Sequence, residues 1–480
     1  MEQPGGHVTD SQTLVAGVDS STQSTKIVVC DAETGRVVRT ARAPHPDGTE
    51  VHPDRWWEAY QQASDGGILD GVAAVAVGGQ QHGMVTLDED GTVVRDALLW
   101  NDTRSAGAAH DLTEELGGVG AWVDAVGLVP VASFTVTKLR WLAENEPELA
   151  DRVARVVLPH DWLTGRILQQ GNGFERWTTD RGDASGTGYW SAADGDYRLD
   201  LLERAFGRVV GVPDVLAPAE AAGATSEGVL VAAGTGDNMG AALGLTLHPG
   251  DVVVSLGTSG TVFTPHRSAI RDETGAIAGF ADATGHHLPL MCTLNAARVL
   301  TAAASMLGVD LGELDRLALQ ASPGAGGLSL LPYLDGERTP DLPDATGTLS
   351  GLTRSNATPE NLARAAVEGM LCNLVAGVDA LRDRDVEVRR VLLIGGAAAS
   401  RAVREIAPGL FRAPVVVPAP AEYVGVGAAR QAAWALSREA EPPTWTLEID
   451  SEYAVEPGDE QAHADVVARY QALVSRTHGL

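Results

Sequence analysis

Cysteine is scarce in this sequence: Cys30, Cys292 and Cys372 are the three in 480 residues. They lie far apart in apolar surroundings and form no CxxC pair. That excludes a zinc knuckle and a disulfide framework and fits a reducing cytoplasm. Positive charge is scarce too: 35 Lys and Arg stand against 64 Asp and Glu, a formal net charge of -29. Nucleic acid and anionic membranes both demand basic surface, so neither is expected as a partner. Phosphorylated ligands stay open, because a few N–H groups and one cation are enough to hold a phosphate. No apolar run is long enough to span a bilayer. Residues 1–13 are polar and lack the charged-then-apolar order of a signal peptide, and they read as a disordered leader. The expected location is the cytoplasm.

What is present begins with length. A chain of 480 residues exceeds what one hydrophobic core usually supports, so two large domains are expected. The 55 glycines cluster after apolar runs, where they mark turns at strand ends. Leu14 to Val18 reads as a short strand. It gives way to Asp19-Ser20-Ser21-Thr22-Gln23-Ser24-Thr25-Lys26, a polar turn closed by lysine. Ile27 to Cys30 and Arg36 to Ala41 then complete a β-meander. Such a turn can offer N–H and hydroxyl groups to phosphate oxygens, with Lys26 as the nearby charge. Taken alone, it reads first as an ordinary hairpin turn. Asp251 to Phe263 has the same plan, however: with Val18 set on Val254, Thr22 falls on Thr258 and Asp19 on Ser255. A unit repeated half a chain apart indicates two related domains facing each other, with loops placed to clamp phosphates from both sides. The acid of the first copy, Asp19, is a candidate to hold magnesium through water.

Polar groups gather at further strand ends. Val72 to Val77 runs into Gly78-Gly79-Gln80-Gln81-His82-Gly83, and Leu98-Leu99 runs into Trp100-Asn101-Asp102. Amide, imidazole, indole and carboxylate groups together suit a polyhydroxylated ligand, whose hydroxyls need both donors and acceptors. Residues 134–170 read as helical, and Asp180 and Asp183 as turn caps. Gly228 to Ala232 is a strand that ends in a glycine turn and delivers Asp237 to the start of a helix. There Asp237 is either a rigidly held catalytic carboxylate or a helix cap. Thr358-Pro359-Glu360 opens a long helix. Arg390 to Ile394 ends in Gly395-Gly396, where small residues admit a bulky ligand close to the backbone, and Ser400 is placed to cap the next helix.

In this order the motifs resemble the FGGY family of carbohydrate kinases. The matching stretches, from about Leu14 to about Leu436, are Gly17-Val18-Asp19 with Thr22 and Lys26; Gly79 to Gly83; Leu99 to Asp102; Asp180 with Asp183 to Thr187; Gly236-Asp237-Asn238; Ser255 to Gly260; Leu331 to Pro340; and Ile394-Gly395-Gly396. The resemblance implies an α/β fold of two ribonuclease-H-like domains of the actin and hexokinase type, with ATP and sugar in the central cleft. The implied divisions are an N-terminal domain over 14–246, a C-terminal domain over 247–436, and an acidic tail with a terminal helix over 437–480. Asp237 matches the family's base. Gln81, His82, Trp100, Asn101, Asp102 and Asn238 match sugar-side positions. Thr22, Ser24 and Lys26 match one phosphate loop, Gly257, Thr258 and Ser259 the other, and Gly396 and Ser400 the adenosine motif. Asp19 or Asp237 would help hold Mg2+ through water or phosphate. Two positions depart from the pattern: Ser21 and Ala397 stand where many relatives have glycine.

The activity implied is phosphorylation of a sugar by ATP, D-xylulose at its terminal hydroxyl first, with ribulose, gluconate or glycerol as alternatives. An actin-like ATPase without a sugar is the rival from another class, and the clusters at 80–83 and 100–102 speak against it. A sugar-sensing regulator would need a DNA-binding element, and the chain has no added helix-turn-helix or basic arm. An aspartate of ordinary pKa near ~4 is expected to suffice as the base. Oligomeric state is left open, with a homodimer admitted.

Overall fold

The computed structural model describes residues 12–171 and 173–480. Nearly all of the expected leader lies outside the described residues. Two seven-stranded sheets organise the rest. The first runs Ala221–Ala224, Leu230–Ala232, Val72–Gly79, Leu14–Ser20, Ser24–Asp31, Val37–Pro44, with Thr235–Gly236 beside the end of Val72–Gly79. The second runs Ala278–Ala281, His287–Thr293, Gly260–Phe263, Asp251–Leu256, Arg390–Ile394, Val415–Pro418, Ile449–Tyr453.

The hairpin duplication is real at the level of pairing. Leu14–Ser20 is antiparallel to Ser24–Asp31 and parallel to Val72–Gly79. Asp251–Leu256 is antiparallel to Gly260–Phe263 and parallel to Arg390–Ile394. Each central strand is also buried on both faces, which is why both read as near-continuous apolar runs. The helix Asp54–Ser64 buries Trp56 and Trp57 in the first core, as expected of them.

The helix Tyr423–Ser437 comes late in the chain but docks on the first sheet and on the helix Asp237–Gly244. Glycine makes this approach: a Cβ on Gly17 would lie 1.8 Å from Gly425 O, and one on Gly427 1.8 Å from Gly240 O. Gln431 Nε2 then donates to Gly234 O at 2.8 Å, tying the helix to the turn before Asp237. On its other side, Asp237–Gly244 shares an apolar cluster with Val253, Leu392 and Val416 of the second sheet.

Residues 134–170 are not one helical stretch. Thr135–Asn145 and Pro159–Gln169 are helices, but Arg155–Val157 between them is a strand paired with Val85–Leu87. Beyond residue 437 the terminal helix is present as Glu460–His478, and it buries Val466, Tyr470 and Leu473 in the second core. The strand before it, Ile449–Tyr453, closes one edge of the second sheet. No described helix is long and apolar enough to cross a membrane.

Candidate active site

Three parallel strands of the first sheet end on one edge. Asp19 lies opposite Gly78, and Thr235 and Gly236 lie opposite Gly78 and Gly79. The register brings Asp19, Gln80, Gln81 and Asp237 to neighbouring carboxyl ends, where an open α/β sheet presents its ligands.

Asp237 opens the helix Asp237–Gly244 and is half-buried. Its Oδ1 accepts from Asn238 N at 2.7 Å and from Asn238 Nδ2 at 2.8 Å. Asp237 is thus the first residue of the helix and not its cap: Gly236 holds the cap position, and no side chain caps it. Surrounding protein desolvates the carboxylate and pushes its pKa up to about 7; the Asn238 bonds oppose this and the negative Asp19 adds to it. This differs from the ordinary value expected, because desolvation depends on neighbours that are remote in sequence.

From Asp237 a polar chain continues to the residues expected on the sugar side. Asn238 Nδ2 also donates to Gln81 Oε1 at 3.2 Å, while the Gln81 Nε2 is buried without a partner. His82 sits at φ 68 with its ring between Phe134, at 4.7 Å, and Phe280 of the second sheet, at 5.7 Å. Its Nδ1 is 2.8 Å from Gly186 O. A carbonyl only accepts, so Nδ1 carries a proton. Burial, with Arg338 and Lys138 nearby, holds the ring's pKa well below the usual value, so the ring is neutral and Nε2 is an acceptor. Trp100 Nε1 donates to Thr22 Oγ1 at 2.8 Å. Asn101 Nδ2 donates to Gly48 O at 3.4 Å, and its Oδ1 is buried without a partner. Asp102 accepts from Arg104 N and Nε on one oxygen and from Thr49 Oγ1 on the other. Burial raises the Asp102 pKa, but these bonds outweigh it and lower the net value.

Thr22 Oγ1 also donates to Gln80 Oε1 at 3.4 Å, which joins the first hairpin turn to the turn after Val72–Gly79. Ser24 is buried in the strand after the turn. Lys26 Nζ lies 2.6 Å from Glu422 Oε2 and 3.4 Å from Asp19 Oδ2. Burial pulls its pKa down, but the two carboxylates prevail and raise it. Asp19 is itself buried, which raises its pKa against the pull of Lys26. Its Oδ1 has no hydrogen-bond donor. An orphaned carboxylate oxygen close to a second carboxylate fits a hydrated divalent cation.

In the second domain, the carbonyls of Gly257 and Thr258 accept from Ala297 N at 2.9 Å and Ala296 N at 3.3 Å. The loop is left with its amides and the Thr258 and Ser259 hydroxyls to offer a ligand. Gly396 is exposed, and a Cβ there would meet nothing within 4 Å. Ser400 caps the helix Arg401–Phe411 as expected, accepting from Val403 N at 3.1 Å and donating to Asp315 Oδ1 at 2.6 Å. Its own N–H goes to Ala397 O, so the Ser400 amide is already engaged within the protein.

Sequence reasoning passed over Lys138 and His160. Lys138 Nζ is completely buried and donates to Ser133 O and, at 3.5 Å, to His82 O; burial brings its pKa down to about 7. A signal was available: Lys26 and Lys138 are the only two lysines among 35 basic residues. For His160 there was none, since its partner Asp183 is 23 residues away. Asp180 is the turn cap expected, accepting from Gly182 N and Asp183 N.

Residues 14–244 match the family model of the N-terminal domain of the FGGY family of carbohydrate kinases, and residues 252–436 match that of its C-terminal domain. The chain is 48% identical over 441 residues to a xylulose kinase of Streptomyces coelicolor, covering 89% of each chain. The crystal structure of xylulose kinase from Bifidobacterium adolescentis superposes with a TM-score of 0.89 at 47% identity, over 96% of this chain and 99% of that one. A gluconate kinase from Lactobacillus acidophilus superposes at 0.87 over 98% of this chain and 99% of that one; its 20% identity shows the fold alone.

Proposed function

Because the chain belongs to the FGGY family of carbohydrate kinases, we propose that it transfers the γ-phosphoryl group of ATP to the terminal hydroxyl of D-xylulose, giving D-xylulose 5-phosphate and ADP. Support for this sugar comes from the Streptomyces relative and the Bifidobacterium structure, both xylulose kinases at 48% and 47% identity. The observation that carries the chemistry is the junction at Asp237. One carboxylate of raised pKa is joined through Asn238 to the sugar-side Gln81 and stands beside Asp19 of the phosphate-type turn.

Asp237 accepts the proton of the sugar hydroxyl as that oxygen bonds to the γ-phosphorus and the bond to ADP breaks. The transition state is loose, so positioning and charge neutralisation dominate. Gln81, Asn238, the acceptor Nε2 of His82, Trp100, Asn101 and Asp102 orient the sugar. Thr22, Ser24 and Lys26 face the phosphates from one domain, and Gly257, Thr258 and Ser259 from the other. Lys26 exchanges Glu422 for phosphate oxygens. Gly396 admits the adenosine. Mg2+, held by Asp19 through water with Asp237 nearby, would neutralise phosphate charge. Closing the two domains excludes water and limits ATP hydrolysis. The three free, buried thiols suit a reducing cytoplasm, and the reading includes that location.

A coupled ADP-release assay over D-xylulose, D-ribulose, D-gluconate and glycerol tests the sugar. The expected result is the highest kcat/KM on D-xylulose. No turnover of any pentulose would overturn the choice.

A further inference from the structure

The stretch Leu331 to Pro340 stands out in the sequence, yet the site above does not use it. The structure anchors it firmly. Glu337 is buried, with Oε1 accepting from Leu294 N at 2.5 Å and Oε2 from Asn295 Nδ2 at 3.0 Å and Asn373 Nδ2 at 2.8 Å. Thr339 Oγ1 donates to Cys292 O at 2.9 Å. Residues on either side of Arg338 are thus fixed to the second domain.

The Arg338 guanidinium reaches the first domain. Its Cζ lies 5.9 Å from the centre of the Phe134 ring, the same ring that packs against His82. Its charge is felt at His82, Lys138 and Cys292. Arg338 is half-buried. Among the described residues it makes no ion pair with a carboxylate, whereas several other half-buried or buried arginines do. Arg95 pairs with Glu50 and Glu146, Arg364 with Glu368, Arg384 with Asp272 and Arg390 with Asp251. In a chain of net charge -29, carboxylates are not in short supply. A guanidinium on a backbone anchored in the second domain, without an ion pair among the described residues and lying against the ring that packs on His82, is equipped for neutral oxygen acceptors brought by a ligand.

We propose that Arg338 is a sugar-binding residue supplied by the second domain, donating from its guanidinium to oxygens of the acceptor sugar at His82 and so making the sugar part of the contact between domains. The inference rests on the sugar-kinase reading above, but not on which sugar is used.

The test compares wild type with Arg338→Met and Arg338→Lys on whichever sugar wild type turns over best. Arg338→Met should raise the sugar KM by about 10- to 100-fold, the effect of losing a charged hydrogen bond, while the ATP KM stays within about twofold of wild type. Arg338→Lys, which keeps the charge and most of the stem, should fall between. Calorimetric titration with the sugar alone should show the same weakening. In a series of deoxy sugars, the gap between Arg338→Met and wild type should close for the analogue lacking the contacted oxygen. An unchanged sugar KM, or a loss confined to ATP KM, would overturn the inference while leaving the kinase reading intact. A wild type that binds no sugar would overturn both.

Discussion

His160 Nδ1 lies 2.7 Å from Asp183 Oδ2, and both side chains are completely buried. The ring backs the two turns that carry the site. A Cβ on Gly79, which leads into Gln80 and Gln81, would come 2.8 Å from His160 Cβ; one on Gly234, which leads into Asp237, would come 2.5 Å from its Cδ2. Nε2 faces Asp161 Oδ1 at 3.3 Å and Asp180 Oδ1 at 3.8 Å. Burial opposes a charged ring, but Asp161, Asp183 and Asp180 push its pKa up to about 10. His160, Asp161 and Asp183 are also near enough to one another to share a metal ion. The Nδ1–Oδ2 distance decides for an ion pair. It is a charge-assisted hydrogen bond, whereas two ligands about 2.0–2.1 Å from a tetrahedral zinc would stand about 3.3 Å apart.

His160→Asn strands the carboxylates without their counter-ion and should cost about 3–5 kcal/mol at neutral pH. In the unfolded chain histidine titrates near ~6.5, below its folded value of about 10. The ion pair's stabilisation is therefore complete below the unfolded value and is lost as pH rises through about 10. Asp161 and Asp183, raised by burial to about 7 and about 6, act in the same direction at lower pH. Melting temperatures should fall for wild type between pH 7 and 10. His160→Asn should start lower and fall less, and EDTA should leave wild type unmoved. Equal melting of the two proteins at pH 7 would refute the ion pair, and melting sensitive to EDTA would replace it with a metal.

Asp237 must be deprotonated to act as the base, and its pKa of about 7 places that step in the neutral range. The rate should rise with pH through about 7. Asp19→Asn removes a negative neighbour that raises this pKa, so its acid limb should lie at lower pH even as its maximal rate drops. Asp237→Asn should lower kcat by about 10²- to 10⁴-fold with little change in sugar affinity. Steady-state rates across pH, with sugar titrations of the inactive variant, measure all three. A near-normal rate in Asp237→Asn would remove it from the role.

What the sequence made legible is local or repeated. The hairpin at Leu14–Asp31 and its copy at Asp251–Phe263 were readable because strand, turn and strand follow within a few residues. Caps at Asp180, Thr358 and Ser400 were readable for the same reason: each accepts from an amide three residues on. What stayed hidden depends on partners far along the chain. The strand Arg155–Val157 looks helical until Val85–Leu87 supplies its pairing. Ile449–Tyr453 becomes a strand only beside Val415–Pro418. Asp237 could be named from its strand, but its raised pKa needed the surrounding protein. Arg338 stood in a quoted motif, but its reach to Phe134 follows from how Glu337 is held by Leu294, Asn295 and Asn373.

Gly395 and Gly396 look alike in sequence, and the structure separates them. Gly395 has φ 88, and a Cβ there would lie 2.7 Å from the Leu256 backbone carbon, so Gly395→Ala should lose about 1–3 kcal/mol of stability. Gly396 has ordinary φ and open space where its Cβ would be. A side chain there costs the fold little, but it projects into the space assigned to adenosine. Gly396→Leu should therefore melt with wild type, keep the sugar KM, and raise the ATP KM by tenfold or more, which corresponds to about 1.4 kcal/mol of binding. Thermal melts and nucleotide titrations on the two variants check both halves. If Gly396→Leu bound ATP as wild type does, the adenosine would have to lie elsewhere in the cleft, and the open space beside Gly396 would lose its assignment.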